Sequence, residues 1–278
     1  MQLAELTSND PNAFQSPGFW SRLGNILEEK NTEEYLSFAI NELLNHGDLV
    51  FLTAFGAEGC VLIDILSKAL ENIPENRIVR SLDELEKHQQ SHNQIGKFIL
   101  ANLDTEYQFK ESLELKERLE EKYKLPILLI KPEITKEEQA KIYGTNSLYE
   151  TDPDQCCYIR KIKPLNKLLS NKLAWITSIR RDQTEVRAKA KSFEYDFKFK
   201  LGKINPLIKW TKSDIWKFIH ENNVPYNPLL DQGYDSIGCE PCTKPGLDRQ
   251  GRWAGKDKIE CGLHLQDSDL AQGGEFVI

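Results

Sequence analysis

The chain has 278 residues, 40% hydrophobic and 28% charged, which is enough to bury one sizeable core. A formal net charge of −7 argues against a dedicated nucleic-acid binder, and apolar runs such as Pro126–Ile130 are far too short to span a bilayer. No basic stretch followed by an apolar one opens the chain, so no secretory signal is read, and the six cysteines are expected to stay reduced in the cytoplasm.

Residues 1–30 are loosely patterned and read as an arm with a short helix, docked through Phe14, Phe19 and Trp20. Thr32 with Glu33 and Glu34 opens a helix that runs to about Asn45 and stops at His46-Gly47. Leu49–Thr53 reads as a buried strand, followed by the turn Thr53-Ala-Phe-Gly56-Ala-Glu58-Gly59 and a helix from Cys60. Strand, glycine turn and helix point backbone N–H groups at an anion, although the same pattern also serves a plain βα connection. Neither a Gly-Lys-Ser/Thr nor a G-x-G-x-x-G pattern stands there.

The charged, glutamine-rich stretch 71–97 is expected to be a solvated helical insertion, from Leu82 to Ile99. Ile99–Leu103 is a second strand ending at Asp104-Thr105, Glu106–Lys124 a helix, and Leu125–Ile130 a third strand. Leu173–Thr177 makes a fourth, followed by a loop bearing Arg180, Arg181, Gln183 and Arg187. Guanidinium groups beyond the end of an apolar strand suit a phosphate or sulfate. Asn205–Thr211 is a strand or turn, Thr211 or Ser213 caps a helix over Asp214–Asn222, and Asp267–Ile278 is a small, acidic tail. The alternation predicts an α/β fold: a parallel sheet flanked by helices, with ligands at the carboxyl ends of the strands. Thr53, Gly56, Glu58, Gly59, Asp104 and Thr105 all fall there. The expected organisation is an arm (1–30), a nucleotide-binding body (31–235) and a C-terminal segment (236–278) bearing cysteines.

Five of the six cysteines lie at Cys156-Cys157, Cys239-x-x-Cys242 and Cys261; the sixth, Cys60, reads as an inert core thiol. Adjacent cysteines make a poor zinc knuckle, because successive side chains diverge, whereas a cubane accepts thiolates at separate corners. The four-thiol set therefore favours a [4Fe–4S] cluster over zinc. Cys261 is flanked by Glu260 and His264, with Arg252, Lys256 and Lys258 close by in sequence. Positive charge lowers a thiol's pKa, so Cys261 reads either as a nucleophile or as an incidental surface thiol.

These stretches together resemble the assimilatory adenylyl-sulfate and phosphoadenylyl-sulfate reductases. The resemblance rests on Asp152-Pro-Asp-x-Cys-Cys-x-x-Arg-Lys-x-x-Pro-Leu165, Arg180-Arg-x-Gln183, Asn205-Pro-Leu, Cys239-x-x-Cys242, Gly251-Arg-Trp253 and Glu260-Cys-Gly-Leu-His264, in that order. It covers most of residues 47–264. It implies an adenine-nucleotide α-hydrolase-like fold with a modified pyrophosphate loop at Thr53–Gly59 and a mobile C-terminal segment carrying the nucleophile. It further implies that Cys261 attacks the sulfur of adenylyl sulfate (APS), releasing AMP and leaving an S-sulfocysteine that thioredoxin or glutaredoxin resolves to sulfite. Lys161 and His264 join Cys261 as catalytic candidates. Lys161, Arg249 and Arg252 are expected to face sulfate and phosphate, with help from Arg180 and Arg181. Cys156, Cys157, Cys239 and Cys242 resemble the ligands of the branch carrying a [4Fe–4S] cluster, and a homo-oligomer is expected.

The sequence departs from the family pattern at Glu106, where Leu-Asp-Thr is usually followed by Gly, at Ser178, after Trp253, and over the insertion at 80–97. These leave open the same chemistry on the 3′-phosphorylated substrate (PAPS). A non-catalytic iron–sulfur or zinc redox module is the reading from another class. An ATP-dependent pyrophosphate-loop enzyme fits less well, since no Ser-Gly-Gly-x-Asp-Ser stands at Thr53.

Overall fold

A computed structural model describes residues 3–7, 10, 12–27, 29–91, 95–256, 258 and 260–264. The tail expectation for Asp267–Ile278 lies outside these residues. Six strands form one sheet: β1 (Leu49–Leu52), β2 (Phe98–Leu103), β3 (Leu128–Ile130), β4 (Ala174–Ile176), β5 (Phe193–Asp196) and β6 (Leu201–Ile204). Their order is β3-β2-β1-β4-β6-β5; every pair is parallel except the edge hairpin β5–β6.

The helices follow in chain order. α1 (Leu3–Thr7), α2 (Pro17–Leu27) and α3 (Thr32–Phe38) precede β1. α4 (Ala57–Leu70) and α5 (Leu82–Gln90) lie between β1 and β2, and α6 (Lys110–Tyr123) between β2 and β3. Before β4 come α7 (Lys136–Tyr143), α8 (Leu148–Thr151), α9 (Pro153–Cys157) and α10 (Lys163–Leu169); α11 (Glu185–Ala188) and α12 (Lys212–Asn222) complete the set.

Alternation along the strands builds two cores. Leu49, Phe51, Phe98, Leu100, Ala174 and Ile176 face a large cluster covered by α2, α3, α4, α6 and α12. Val50, Ile99, Ala101 and Trp175 face the other way, against Leu85 of α5 and Leu165, Leu168 and Leu169 of α10. Phe19 and Trp20 are fully buried in the larger cluster, so the first thirty residues share a core with Ile215 and Val224.

The helix expected to start at Leu82 ends at Gln90, and β2 begins one residue earlier than expected, at Phe98. The helix expected from Glu106 begins at Lys110: Glu106 adopts φ +60°, and a turn around Thr105–Gln108 precedes it. Thr211, not Ser213, caps α12, in a reciprocal capping box with Asp214.

From β1 the chain runs outward to β2 and β3 and then returns to β4 on the other side of β1. That reversal opens a crevice beyond the carboxyl ends of β1 and β4, where ligands of open α/β sheets bind.

Candidate active site

The crevice is a cavity of about 290 Å³, the size of a small-ligand cleft. Thr53, Gly56 and Glu58 line it from the β1–α4 turn, Thr105 from the end of β2, and Arg180, Gln183 and Arg187 from the loop after β4. Arg249, Arg252, Cys261 and His264 reach it from the C-terminal segment, and Lys161 from the turn after α9. The structure thus brings together residues more than 200 positions apart in sequence.

Gly59, Asp104 and Arg181 do not line the cavity, contrary to the sequence reading. A Cβ on Gly59 would lie 2.5 Å from Thr53 Oγ1, so this glycine serves the close packing of α4 on the strand end. Asp104 turns back on its own loop, accepting from the Glu106 amide at 3.0 Å. Arg181 is exposed and donates to the Ala190 carbonyl at 3.0 Å.

At the amino end of α4, Gly56 is extended and supplies no side-chain cap, which leaves helix N–H groups toward the cavity. Glu58 in the first turn is engaged by Arg180 and accepts from Gln183 Nε2 at 3.0 Å. Asn205, fully buried, accepts the Thr177 hydroxyl at 2.5 Å and donates to Lys191 O and Glu194 Oε1. The Asn205-Pro-Leu motif thereby pins the end of β4 just ahead of the arginine loop.

Asp152 caps α9 by accepting from the Gln155 amide at 2.9 Å, and Pro153 occupies the first turn, where a missing N–H does no harm. This accounts for the Asp-Pro-x-x-Cys-Cys order. A π-helical turn at Tyr158–Ile162 follows, a distortion frequent at functional sites. It carries Arg160, buried and paired with Glu106 Oε2 at 2.6 Å, and Lys161. Facing it, the segment after Gly238 pairs with the turn after β2: Gln108 bridges Cys239, and Thr105 Oγ1 lies 3.3 Å from Cys239 Sγ.

Cys156, Cys157, Cys239 and Cys242 line one small pocket with Arg160, Lys161 and Trp253. All are free thiols. Burial pushes Cys156 up to about 12, and Cys157, Cys239 and Cys242 push it the same way. Among the described residues no group of three or more His, Cys, Asp or Glu is arranged around a single metal ion. A cubane asks for something different: one thiolate at each of four separate irons, around a shared space. Four unpaired thiols around one pocket fit that group better than they fit zinc.

Lys161 lines both this pocket and the larger cavity. Burial lowers its pKa, but Cys239, Cys157 and Cys261 outweigh burial and hold the ammonium charged. Burial likewise pushes the Cys261 thiol up, yet Lys161, the Leu263 amide and Arg252 bring it below the usual thiol range despite the opposing Glu260. Glu260, 5% exposed, is held by Arg187 Nε at 3.0 Å and Arg249 Nη2 at 3.1 Å. Arg187 and Arg249 thus grip the residue beside Cys261. Arg252 donates to Ile237 O at 3.2 Å. A Cβ on Gly238 would lie 2.3 Å from the Arg252 guanidinium carbon, so a side chain there would displace that group from its present position. His264 stacks on Trp175, with centroids 5.5 Å apart and 11° between planes. Burial, reinforced by Arg187, Lys203 and Arg249, holds it neutral.

Sequence reasoning passed over several lining residues: Asn102, Gln108, Ser112, Trp175, Lys212, Trp216 and the stretch Asp235–Gly238. Asn102 is the most legible of them, a polar residue inside an apolar strand; it donates to Thr53 O at 2.9 Å and accepts from Gln108. The others carry no local signal.

A family model described as the phosphoadenosine phosphosulfate reductase domain matches residues 48–245. The chain belongs to that family. Among curated relatives of this reductase-family chain, adenosine 5'-phosphosulfate reductase of Lysinibacillus sphaericus is 43% identical over 236 residues, 83% of this chain and 89% of the relative. The protein of the same name from Staphylococcus epidermidis is 40% identical over 259 residues, 91% and 95% of the two chains. Phosphoadenylyl-sulfate reductase from Candida auris, solved as a phosphate complex, superposes with a TM-score of 0.64 at 27% identity over 82% of this chain and 98% of its own. Yeast FAD synthetase, at 17% identity and a TM-score of 0.50, covers 89% of this chain and 78% of its own and shares the adenine-nucleotide α-hydrolase-like fold. Among the described residues no helix is long and apolar enough to cross a membrane.

Proposed function

We propose that this protein reduces adenylyl sulfate to sulfite and AMP through an S-sulfocysteine at Cys261, in assimilatory sulfate reduction. The observation that carries this reading is that Cys261, Lys161 and Arg252 share one cavity with the glycine turn and the arginine loop. The nucleotide fits as an anion at the α4 amino end with its base against the apolar lining of Ile215, Trp216, Leu230 and Ile237. APS is favoured over PAPS by the names of the relatives above 40% identity.

The Cys261 thiolate attacks the sulfate sulfur, an S–S bond forms, and the bond from sulfur to the bridging oxygen breaks, sending its electron pair out with AMP. Two anions approach in this step, and the ammonium of Lys161 and the guanidinium of Arg252 offset their repulsion. A thiolate of a thioredoxin- or glutaredoxin-like protein then attacks Cys261 Sγ and expels sulfite; its second thiol resolves the mixed disulfide. A cytoplasmic location fits the six free thiols. Cys156, Cys157, Cys239 and Cys242 would hold a [4Fe–4S] cluster, which would supply local charge and rigidity beside Lys161, and every bond change above takes place at Cys261.

Intact mass after anaerobic incubation with APS or PAPS, without thiol reductant, tests the reading. Wild-type protein gains one SO3 group, faster with APS; Cys261→Ser gains none. A folded wild type that takes up SO3 from neither nucleotide overturns the proposal, and a faster gain from PAPS overturns the substrate assignment.

A further inference from the structure

The β5–β6 hairpin belongs to none of the motifs above, yet it touches the nucleophile segment. Asp196, 2% exposed at the end of β5, accepts the amides of Lys198 at 3.1 Å and Phe199 at 3.2 Å through one oxygen. Its other oxygen accepts Trp175 Nε1–H at 3.2 Å. One buried carboxylate thereby fixes the hairpin turn and the indole together. The turn aims Lys198 Nζ at the Gly262 carbonyl, 2.6 Å away, one residue beyond Cys261. Phe199 packs edge-on against Trp175, with centroids 5.4 Å apart, and Leu263 joins the same apolar cluster. His264 stacks on the indole's ring. The segment Gly262–His264 is thus seated on a platform made by the hairpin turn and Trp175.

We propose that this hairpin turn is the latch of the nucleophile segment and that Lys198 is its positioning residue. The inference rests on the function proposed above. Sulfonation needs Cys261 inside the cavity beside Lys161, whereas reductive release needs the same sulfur in front of a thiol on another protein. A charge-assisted hydrogen bond to a backbone carbonyl suits such a duty: it holds the backbone without engaging the reacting sulfur, and it can be broken and remade. No bond to Lys198 changes in either chemical step. The latch sets how often Cys261 is in place.

Two variants compared with wild type test it: Lys198→Met, which keeps the aliphatic stem beside Phe199, and Lys198→Arg, which keeps a donor. Single-turnover SO3 gain from saturating APS is followed by intact mass, together with amide exchange in the peptide containing 260–264. Lys198→Met is expected to sulfonate about 10–100-fold more slowly, the factor spanned by losing a hydrogen bond to a charged group, and to exchange correspondingly faster. AMP affinity is expected to stay within about twofold, since Lys198 does not line the cavity. Lys198→Arg recovers most of both losses. Unchanged exchange in Lys198→Met overturns the latch, as does slow sulfonation that Lys198→Arg fails to restore. Exchange reads the latch even if wild type takes up no SO3, so failure of the latch and failure of the reductase reading are separate results.

Discussion

Cys60 and Cys261 show how neighbours decide a thiol's chemistry. Cys60, in α4, lies within the large apolar cluster, and burial pushes it up to about 12 against the pull of Arg118. Cys261 is partly exposed, and Lys161 and Arg252 bring its pKa below the usual thiol range against the pull of desolvation. The reactive form is the thiolate, so a lowered pKa places the rising limb of the sulfonation rate at lower pH than for a free thiol. In Lys161→Met that limb moves to higher pH. The rate at neutral pH is expected to fall, by up to about tenfold, with part of the loss recovered at alkaline pH. SO3 gain measured across the pH range checks this; a limb that stays in place refutes the charge argument. Cys261 and its basic neighbours were legible in the sequence. The grip of Arg187 and Arg249 on Glu260 was not, because Arg187 lies over seventy positions upstream of its partner and a carboxylate between arginines leaves no periodic trace.

At the level of elements, the charged insertion around α5 is less solvated than its composition suggests. His88 is buried, and its Nε2 lies 2.8 Å from Asp48 Oδ1, ahead of β1. Lys172 Nζ binds the other oxygen of Asp48 at 2.7 Å, and the Lys97 amide donates to the first. This carboxylate ties together the starts of β1, β2 and β4 and the end of α5. Burial pushes Asp48 up, but Lys172, His88 and the Lys97 amide outweigh it, so its folded pKa lies below the ordinary value. The clamp's stability is therefore present above the ordinary aspartate range and is lost as pH falls through the lowered folded value. Asp48→Asn leaves Lys172, with a side chain only 3% exposed, uncompensated, and is expected to destabilise by about 3–5 kcal/mol at neutral pH. The gap from wild type should narrow below about pH 4. Denaturant unfolding at both pH values checks it.

The β5–β6 hairpin escaped the sequence for a related reason. Leu201-Gly-Lys-Ile204 has no apolar run because Trp20 fills the space a side chain on Gly202 would need, and Lys203 is buried against Glu194 Oε1 at 3.0 Å. Tertiary partners override the strand pattern there. The central strands were legible because they are buried on both faces and read as continuous apolar runs.

For the whole molecule, the reversal of strand order at β1 and β4 gathers the site, and the four cysteines join two segments that the sheet itself does not connect. Cys156 and Cys157 end α9, while Cys239 and Cys242 flank a turn whose continuation carries Arg252 and Trp253; the Trp253 amide donates to Cys242 O at 2.9 Å. A cluster bound there would act as a tertiary staple, since by mass action whatever binds only the folded state stabilises it. Cys239→Ser is therefore expected to lose bound iron and broad visible absorption, to melt several degrees lower, and to sulfonate more slowly because Arg252 is no longer held by the stapled loop. The sheet, whose cores contain none of these four residues on the strands, should keep its far-ultraviolet circular dichroism. Iron analysis, absorption and melting on wild type and variant made side by side decide the matter. A colourless wild type carrying one zinc replaces the cubane with a tetrahedral site, and a variant that keeps its iron removes Cys239 from the ligand set.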